Sequence, residues 1–261
     1  MAVTAVIPAR YASARFPGKP LAADTGQYLI RHVWQRVRQA RGIDRVIVAT
    51  DDQRIVEAVR SFGGEVRMTR ADHPTGTDRV GEVAREIEPA NDDIVLNVQG
   101  DEPELDPAVL DRLIERVSAE GETARIGTPA CRFPDDGPRE GPGSPLDPNC
   151  VKVVVDARGL ALYFSRSLIP YPRAGQGMVD RPSRWLLHLG AYAFRADVLL
   201  EITDQRAKPG GMLESMESLE QLRWLENGLS VAVVIVEPQP PGIDTPEDYA
   251  AFVARMRAMG R

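Results

Sequence analysis

Residues 6–21 read VIPARYASARFPGKPL, and the fold class follows from how this stretch changes character. Residues 3–9 are a short apolar run that suits a buried strand. The chain then breaks into a loop that carries Arg10, Arg15 and Lys19 among the small residues Ala12, Ser13, Ala14 and Gly18. Three cations on one short loop repel one another, small side chains let a ligand approach the backbone N–H groups, and Pro17-Gly18 sets a turn. Such a loop directly after a first strand suits a polyanion, most simply a triphosphate. A solvated basic loop is the alternative reading.

Outward from this loop, strands and helices alternate. Residues 28–40 place Leu29, Ile30, Val33, Trp34 and Val37 at helical spacing, and Gly42 ends that helix. A buried strand at 45–49, a helix at 52–61, a short strand at 65–68, a helix at 77–87 with Thr77 as its cap, and a buried strand at 93–98 follow. This order predicts a parallel sheet with helices on both faces. Beyond Gly100 the spacing predicts a helix at 106–118 and a strand at 125–131. Residues 132–149, rich in Pro, Gly and Asp, read as a surface loop. Strands at 151–156 and 161–165 flank Ala157-Arg158-Gly159, a hairpin signal. Residues 185–195 begin as extended chain, helices are expected at 196–202 and 212–227, a strand at 229–236, and a last helix at 245–259 capped by Thr245.

The chain has 261 residues, of which 43% are hydrophobic and 27% charged, enough for a substantial core in one domain with a subdomain. A net charge of -6 argues against nucleic-acid binding, which needs a basic excess, whereas a local basic pocket in an acidic protein suits a small anionic ligand. Cys131 and Cys150 have no metal-ligand spacing; they could pair, but a reduced cytosolic chain explains them with less effort. No apolar run approaches membrane-spanning length, so no membrane is expected. The N-terminal run leads directly into Pro8-Ala9-Arg10 and reads as a strand, not a signal peptide, which points to the cytoplasm.

The strongest chemical constellation pairs the basic loop with Asn97-Val98-Gln99-Gly100-Asp101-Glu102-Pro103. A carboxylate just past the end of a strand suits Mg²⁺, which takes one or two carboxylates together with water and substrate phosphates. Asp101 reads equally as a turn cap. Asp244, in Gly242-Ile243-Asp244-Thr245-Pro246, offers a second carboxylate, or simply helix-entry chemistry. The turn Asp72-His73-Pro74-Thr75-Gly76-Thr77-Asp78-Arg79 could wrap a base or ribose, or merely cap a helix. No G-x-G-x-x-G follows a predicted strand, which disfavours a dehydrogenase. Gly18-Lys19 lacks the upstream glycine and following Ser/Thr of a P-loop.

Eight blocks, IPARYASARFPGKPL, VATDD, HPTGTDR, NVQGDEP, ALYFSRSLIP, HLGAYAFR, ESLEQLRWLENG and GIDTPED, resemble those of the 3-deoxy-manno-octulosonate (Kdo) cytidylyltransferase family, in the family's order over nearly the whole chain. The resemblance implies an α/β, Rossmann-like nucleotide-diphospho-sugar transferase fold. Its central sheet would be mixed but mostly parallel, with a smaller sugar-binding and dimerisation subdomain. It implies a CTP-binding core over about 1–130, a sugar-binding and dimerisation lobe over about 131–228, and a return to the core over about 229–261. The implied reaction joins CTP and Kdo to give CMP-Kdo and diphosphate with Mg²⁺, in a homodimer, supplying lipopolysaccharide synthesis.

By the same resemblance, Pro8, Ala9, Arg10, Ser13, Arg15, Lys19, Gly76, Arg79 and Gln99 are expected at CTP, and Asp101 and Asp244 at the metal. Arg10, Lys19, Asp101 and Asp244 would carry catalysis. Arg166, His188, Tyr192, Glu217 and Gln221 fall in the sugar-binding blocks. Bottom-up, His188 and Tyr192 share one face of an extended run, and Glu214, Glu217 and Gln221 share a helix face. Read without the resemblance, His188 is a satisfied core histidine and Arg166 a surface ion pair. The chain departs from the family at Ala14, Phe16, Gln27 and Gly210-Gly211. The last departure leaves room for a related acid such as 8-amino-Kdo; a sialic acid cytidylyltransferase or a non-catalytic nucleotide sensor are the alternatives.

Overall fold

In the computed structural model, which describes residues 1–13, 15–121, 123–204 and 211–260, the chain divides into two compact units. The first comprises Met1–Asp111 and the segment from Gln239 onward; the second is Arg112–Pro238. The first unit runs β1 (Val3–Ala9), α1 (Leu29–Val37), β2 (Arg45–Thr50), α2 (Gln53–Ser61), β3 (Glu65–Met68), α3 (Gly76–Ile87) and β4 (Ile94–Asn97). Its strands lie in the order β3-β2-β1-β4 and all pair in parallel. The reason is visible in the strands themselves: β4 is buried at every residue and β2 at all but its first, as strands covered by helices on both faces must be. Val6 of β1 stands beside Asn97 of β4, so the loops that leave the carboxyl ends of both strands emerge side by side.

Helix α4 (Pro107–Glu120) carries the chain into the second unit, which contains β5 (Ile126–Arg132), β6 (Lys152–Val155), β7 (Ala161–Ser165), β8 (Leu186–His188), β9 (Tyr192–Arg195), α5 (Ala196–Ile202), α6 (Met212–Glu217), α7 (Glu220–Glu226) and β10 (Val231–Val236). Here parallel and antiparallel pairs mix. β5 runs parallel to β10 and antiparallel to both β8 and β9, and β6 pairs antiparallel with β8 and β7. The expected parallel βα alternation thus holds for the first unit, and the hairpin at Ala157-Arg158-Gly159 joins β6 to β7 in the second.

Three local expectations are corrected. The cap of α3 is Thr75, whose hydroxyl accepts from the Asp78 N–H at 3.1 Å, so the helix starts at Gly76 and Thr77 lies inside it. Residues 212–227 do not form one helix: Ser218 takes a left-handed conformation (φ 52°) and separates α6 from α7. The physical reason is that Arg166 claims the carbonyls a continuous helix would use, donating from Nε to Glu217 O at 2.7 Å and from a terminal nitrogen to Ser218 O at 3.4 Å. Residues 185–195 likewise break at 189–191 into two strands, both paired to β5. Cys131 and Cys150 are thiols that no disulfide joins.

The chain returns to the first unit through α8 (Pro246–Ala258). Its start is fixed by a capping box in which Thr245 and Asp248 exchange bonds, with Pro246 in the first turn. Leu29, Ile243, Tyr249, Phe252 and Val253 form one buried cluster that holds this returning segment down, and Phe16 of the basic loop packs against it. Phe252 is fully buried and meets the His32 ring edge-on. Truncating it leaves a cavity beneath the returning segment. Phe252→Ala should lower unfolding free energy by roughly 3–5 kcal/mol in denaturant titrations; a loss below about 1 kcal/mol would show that this cluster does not anchor the segment.

Candidate active site

The basic loop leaves β1 and folds back on itself. Gly18 adopts φ 73° and its N–H donates to the Tyr11 carbonyl at 2.9 Å, while a Cβ there would stand 3.1 Å from the Tyr11 ring. The position therefore suits glycine on both backbone and steric grounds. Directly after it, Lys19–Leu21 form a single 3-10 turn that carries the Lys19 side chain inward. Ala14 lies outside the described residues.

The Lys19 ammonium is the hub of the site. It donates to Asp101 Oδ2 at 2.8 Å and to the Ile243 carbonyl at 2.6 Å, and Asp244 Oδ1 lies 3.7 Å away. Arg15, largely exposed, reaches the same Asp244 oxygen at 3.0 Å. Asp101 is delivered by the turn after β4, which needs Gly100 because a Cβ there would come within 2.8 Å of the Pro8 carbonyl. The Ile243 N–H donates back to the Asp101 carbonyl at 2.8 Å, so the returning segment is laid against that turn by its own backbone.

Above this hub lies a cleft of about 320 Å³. Pro8, Ala9, Arg10, Ser13 and Lys19 line it from the first strand and loop; Gly76, Gln99, Asp101 and Asp244 line it from the other three segments. Gln99 Nε2 donates to Asn97 Oδ1 at 3.3 Å and Asn97 donates to the Thr77 hydroxyl at 3.1 Å, which fixes the rotation of both amides. Arg10 is tied to the turn before α3, donating to the His73 carbonyl at 2.5 Å and the Thr75 carbonyl at 3.5 Å. Its partners are neutral, so its charge stays available; burial and the charge of Arg79 lower its pKa.

Two of the residues expected at CTP stand apart. Arg79 is fully buried and does not line the cleft, because its guanidinium is held by Asp51 at 3.0 Å and by the Thr69 hydroxyl. Arg15 also lies outside the lining, on the exposed side of Asp244. Sequence reasoning passed over the Ile243 carbonyl and Glu102. A backbone acceptor leaves no trace in residue type. Glu102, half-buried beside Asp101, has its pKa raised to about 8 by burial and by the Asp101 charge.

The donor set fits a hard divalent cation. Two carboxylates already face one positive group, and both are oxygen ligands of the kind Mg²⁺ uses with substrate phosphates. Among the described residues no group of three or more His, Cys, Asp or Glu is placed to hold a metal ion.

The residues expected at the sugar gather within the second unit. Glu217 accepts from the Ser165 hydroxyl at 2.6 Å and from the Arg166 N–H at 2.8 Å. Arg166 is therefore not a surface ion pair: its guanidinium is bound to carbonyls, including Pro148 O at 3.0 Å. His188 Nε2 lies 2.9 Å from the Thr128 hydroxyl, and its ring stands 5.5 Å from that of Tyr192, so the two do share a face although the strand between them is broken. Tyr192 is buried among His188, Phe194 and Trp224; burial, with the nearby Glu220 charge, raises its pKa far above the usual value. Gln221 is buried, and its Nε2 has no hydrogen-bond partner. Of the Gly210-Gly211 pair, Gly210 lies outside the described residues and Gly211 precedes α6.

Comparison with known proteins supplies the family. Residues 4–232 match the sequence model of a family described as cytidylyltransferase. A 3-deoxy-manno-octulosonate cytidylyltransferase of Syntrophotalea carbinolica is 46% identical, covering 99% of this chain and 100% of that protein. The protein of the same name from Syntrophobacter fumaroxidans is 46% identical over 97% of this chain and 96% of its own length. A solved structure of CMP:2-keto-3-deoxy-manno-octonic acid synthetase complexed with CTP superposes with a TM-score of 0.87 at 40% identity, covering 99% of this chain and 100% of that one. An α/β chain with parallel and antiparallel pairing, carrying a cation-lined cleft closed by two carboxylates and kinship of this extent, belongs to the 3-deoxy-manno-octulosonate cytidylyltransferase family.

Proposed function

We propose that this protein transfers the cytidylyl group of CTP to Kdo, giving CMP-Kdo and diphosphate, with Mg²⁺ held by Asp101 and Asp244. The observation that carries the reading is the convergence of Asp101 and Asp244, from two distant segments of the chain, on Lys19 at a cleft lined by the basic loop. The metal, when bound, supplies charge neutralisation at the phosphates and polarises the attacking oxygen.

The chain's own residues do the remainder. Arg10, Arg15 and Lys19 balance the charge of the triphosphate and of the leaving diphosphate, while the N–H groups of the small-residue loop approach phosphate oxygens. Pro8, Ala9, Gly76 and Gln99 hold the nucleoside; the locked Gln99 amide offers a fixed hydrogen-bonding edge to the base. In the second unit Arg166, His188, Tyr192, Glu217 and Gln221 hold the sugar acid. The anomeric hydroxyl of Kdo attacks the α-phosphorus in line, a new O–P bond forms, and the bond to the β-phosphate oxygen breaks. Positioning and charge stabilisation carry most of the acceleration. On this reading the enzyme acts in the cytoplasm as a homodimer and activates Kdo for lipopolysaccharide assembly. Among the described residues no helix is long and apolar enough to cross a membrane.

His188 takes part as a neutral ring. Burial lowers its pKa from 6.5 to about 3, so near neutral pH it offers one donor and one acceptor, and Thr128 uses one of these. In the unfolded chain the same ring gains a proton as pH falls through 6.5, whereas in the folded protein it does not until about 3. The unfolded state therefore binds more protons in that window, and the His188 contribution to stability is lost as pH falls.

The test of the reading is diphosphate release with CTP, Mg²⁺ and a panel of Kdo, 8-amino-Kdo and sialic acid. Release with CTP and Kdo is expected; CTP binding with no release for any acid would favour a nucleotide sensor. Asp101→Asn should reduce kcat by about a thousandfold or more with the fold intact by circular dichroism, and near-normal turnover with Mg²⁺ would remove Asp101 from the metal. His188→Gln should flatten the loss of stability between pH 6.5 and about 3, and an unchanged acid profile would show that His188 does not titrate there.

A further inference from the structure

Lys152 of β6 is completely buried, yet no acidic side chain bonds its ammonium among the described residues. Instead Nζ donates to three main-chain carbonyls, Asp147 at 2.9 Å, Cys150 at 2.6 Å and Arg166 at 2.6 Å. An ammonium has three donors, so this one is saturated by backbone alone. Burying a lysine is costly, and burial lowers its pKa against the opposing influence of Cys150, Asp147 and Glu217. An apolar side chain would fill the space without that cost, so the three bonds need a purpose.

The carbonyls show what it is. Two belong to the turn at 147–150 and the third to Arg166, fourteen positions further on than Lys152. The same turn also accepts a bond from this arginine, whose guanidinium donates to Pro148 O at 3.0 Å. Arg166 is thus fixed at both ends. Its backbone N–H is held by Glu217 and its carbonyl by Lys152, while its guanidinium lies against a turn that Lys152 also holds. Asp147 stiffens the turn from within, its carboxylate accepting from the Gly143 and Asn149 N–H groups at 2.8 Å.

We propose that Lys152 is a positioning residue for recognition of the sugar acid: its buried ammonium locks the 147–150 turn to the Arg166 backbone and so presents the Arg166 guanidinium in one orientation. The inference rests on the reading that Arg166 meets the sugar acid. It assigns Lys152 no contact with substrate and no part in holding CTP.

The experiment is a double-mutant cycle of Lys152→Met and Arg166→Ala, with KM for Kdo, KM for CTP and kcat measured for each folded protein. K152M should raise KM for Kdo about tenfold or more and leave KM for CTP within about twofold. In the R166A background, K152M should add less than about twofold, because its effect passes through Arg166. Equal changes in both KM values, or full additivity with R166A, would overturn the proposal by showing a general structural role. If K152M does not fold, Lys152→Gln, which keeps two donors, is read in the same way and should give the same split with a smaller rise. A wild-type protein that turns over no Kdo would overturn the functional reading and this inference with it. A wild type that does use Kdo, paired with a variant whose KM for Kdo is unchanged, would overturn this inference alone.

Discussion

An ammonium group with a carboxylate, a carbonyl and a second carboxylate around it organises the first unit. Lys19 arrives from the loop after β1, Asp101 from the turn after β4, and Ile243 with Asp244 from the segment that returns before α8. Each needs the others. Two carboxylates facing one site repel, and a cation between them offsets that repulsion where solvent access is limited. The cation in turn is held inward by a 3-10 turn that a left-handed glycine begins. On the proposed function, substrate phosphates and a divalent cation would enter a place where opposite charges are already balanced at close range, so little would have to reorganise on their arrival.

The second unit solves a different problem with different means. The residues proposed to recognise the sugar are fixed largely through backbone. Arg166 bonds carbonyls of 148, 217 and 218; Glu217 takes the N–H of Arg166; Lys152 beside them bonds three carbonyls and, among the described residues, no acid. A guanidinium bound to carbonyls has no countercharge against it, whereas the field of one bound to a carboxylate is largely cancelled by its partner. The same economy is seen in the first unit, where Arg10 is held by the carbonyls of His73 and Thr75. Where this protein pairs arginine tightly with acid in a buried setting, as at Arg79 and Asp51, the arginine is turned away from the cleft.

The parts that sequence pattern revealed are those where one residue type does one job. Apolar β-branched runs gave β1, β2 and β4, and Thr245-Pro246 marked the start of α8. The three cations at 10, 15 and 19 led to the expectation of an anion site, and two of them, Arg10 and Lys19, line the cleft. What pattern missed was decided by backbone groups. The break at Ser218 arises because a distant arginine takes two carbonyls, and periodicity within 212–227 carries no sign of it. The Ile243 carbonyl beneath Lys19 is invisible in the same way. Arg79 misled because its motif sits beside the cleft while its guanidinium is captured by Asp51. Lys152 drew no notice inside an ordinary strand sequence.

The first unit is discontinuous, since the chain leaves it at Asp111 and comes back at Gln239. This has a consequence in time. During synthesis the parallel sheet, the basic loop and Asp101 leave the ribosome first. They then wait for the whole second unit, on the order of ten seconds at ordinary elongation rates. Through that interval Lys19 has one of its carboxylates but neither Ile243 nor Asp244, and the loop lacks the cluster on which Phe16 rests. A nascent or prematurely terminated chain therefore holds the basic loop and Asp101 while lacking the second acid, and the complete charge cluster around Lys19 becomes a property of the finished polypeptide alone.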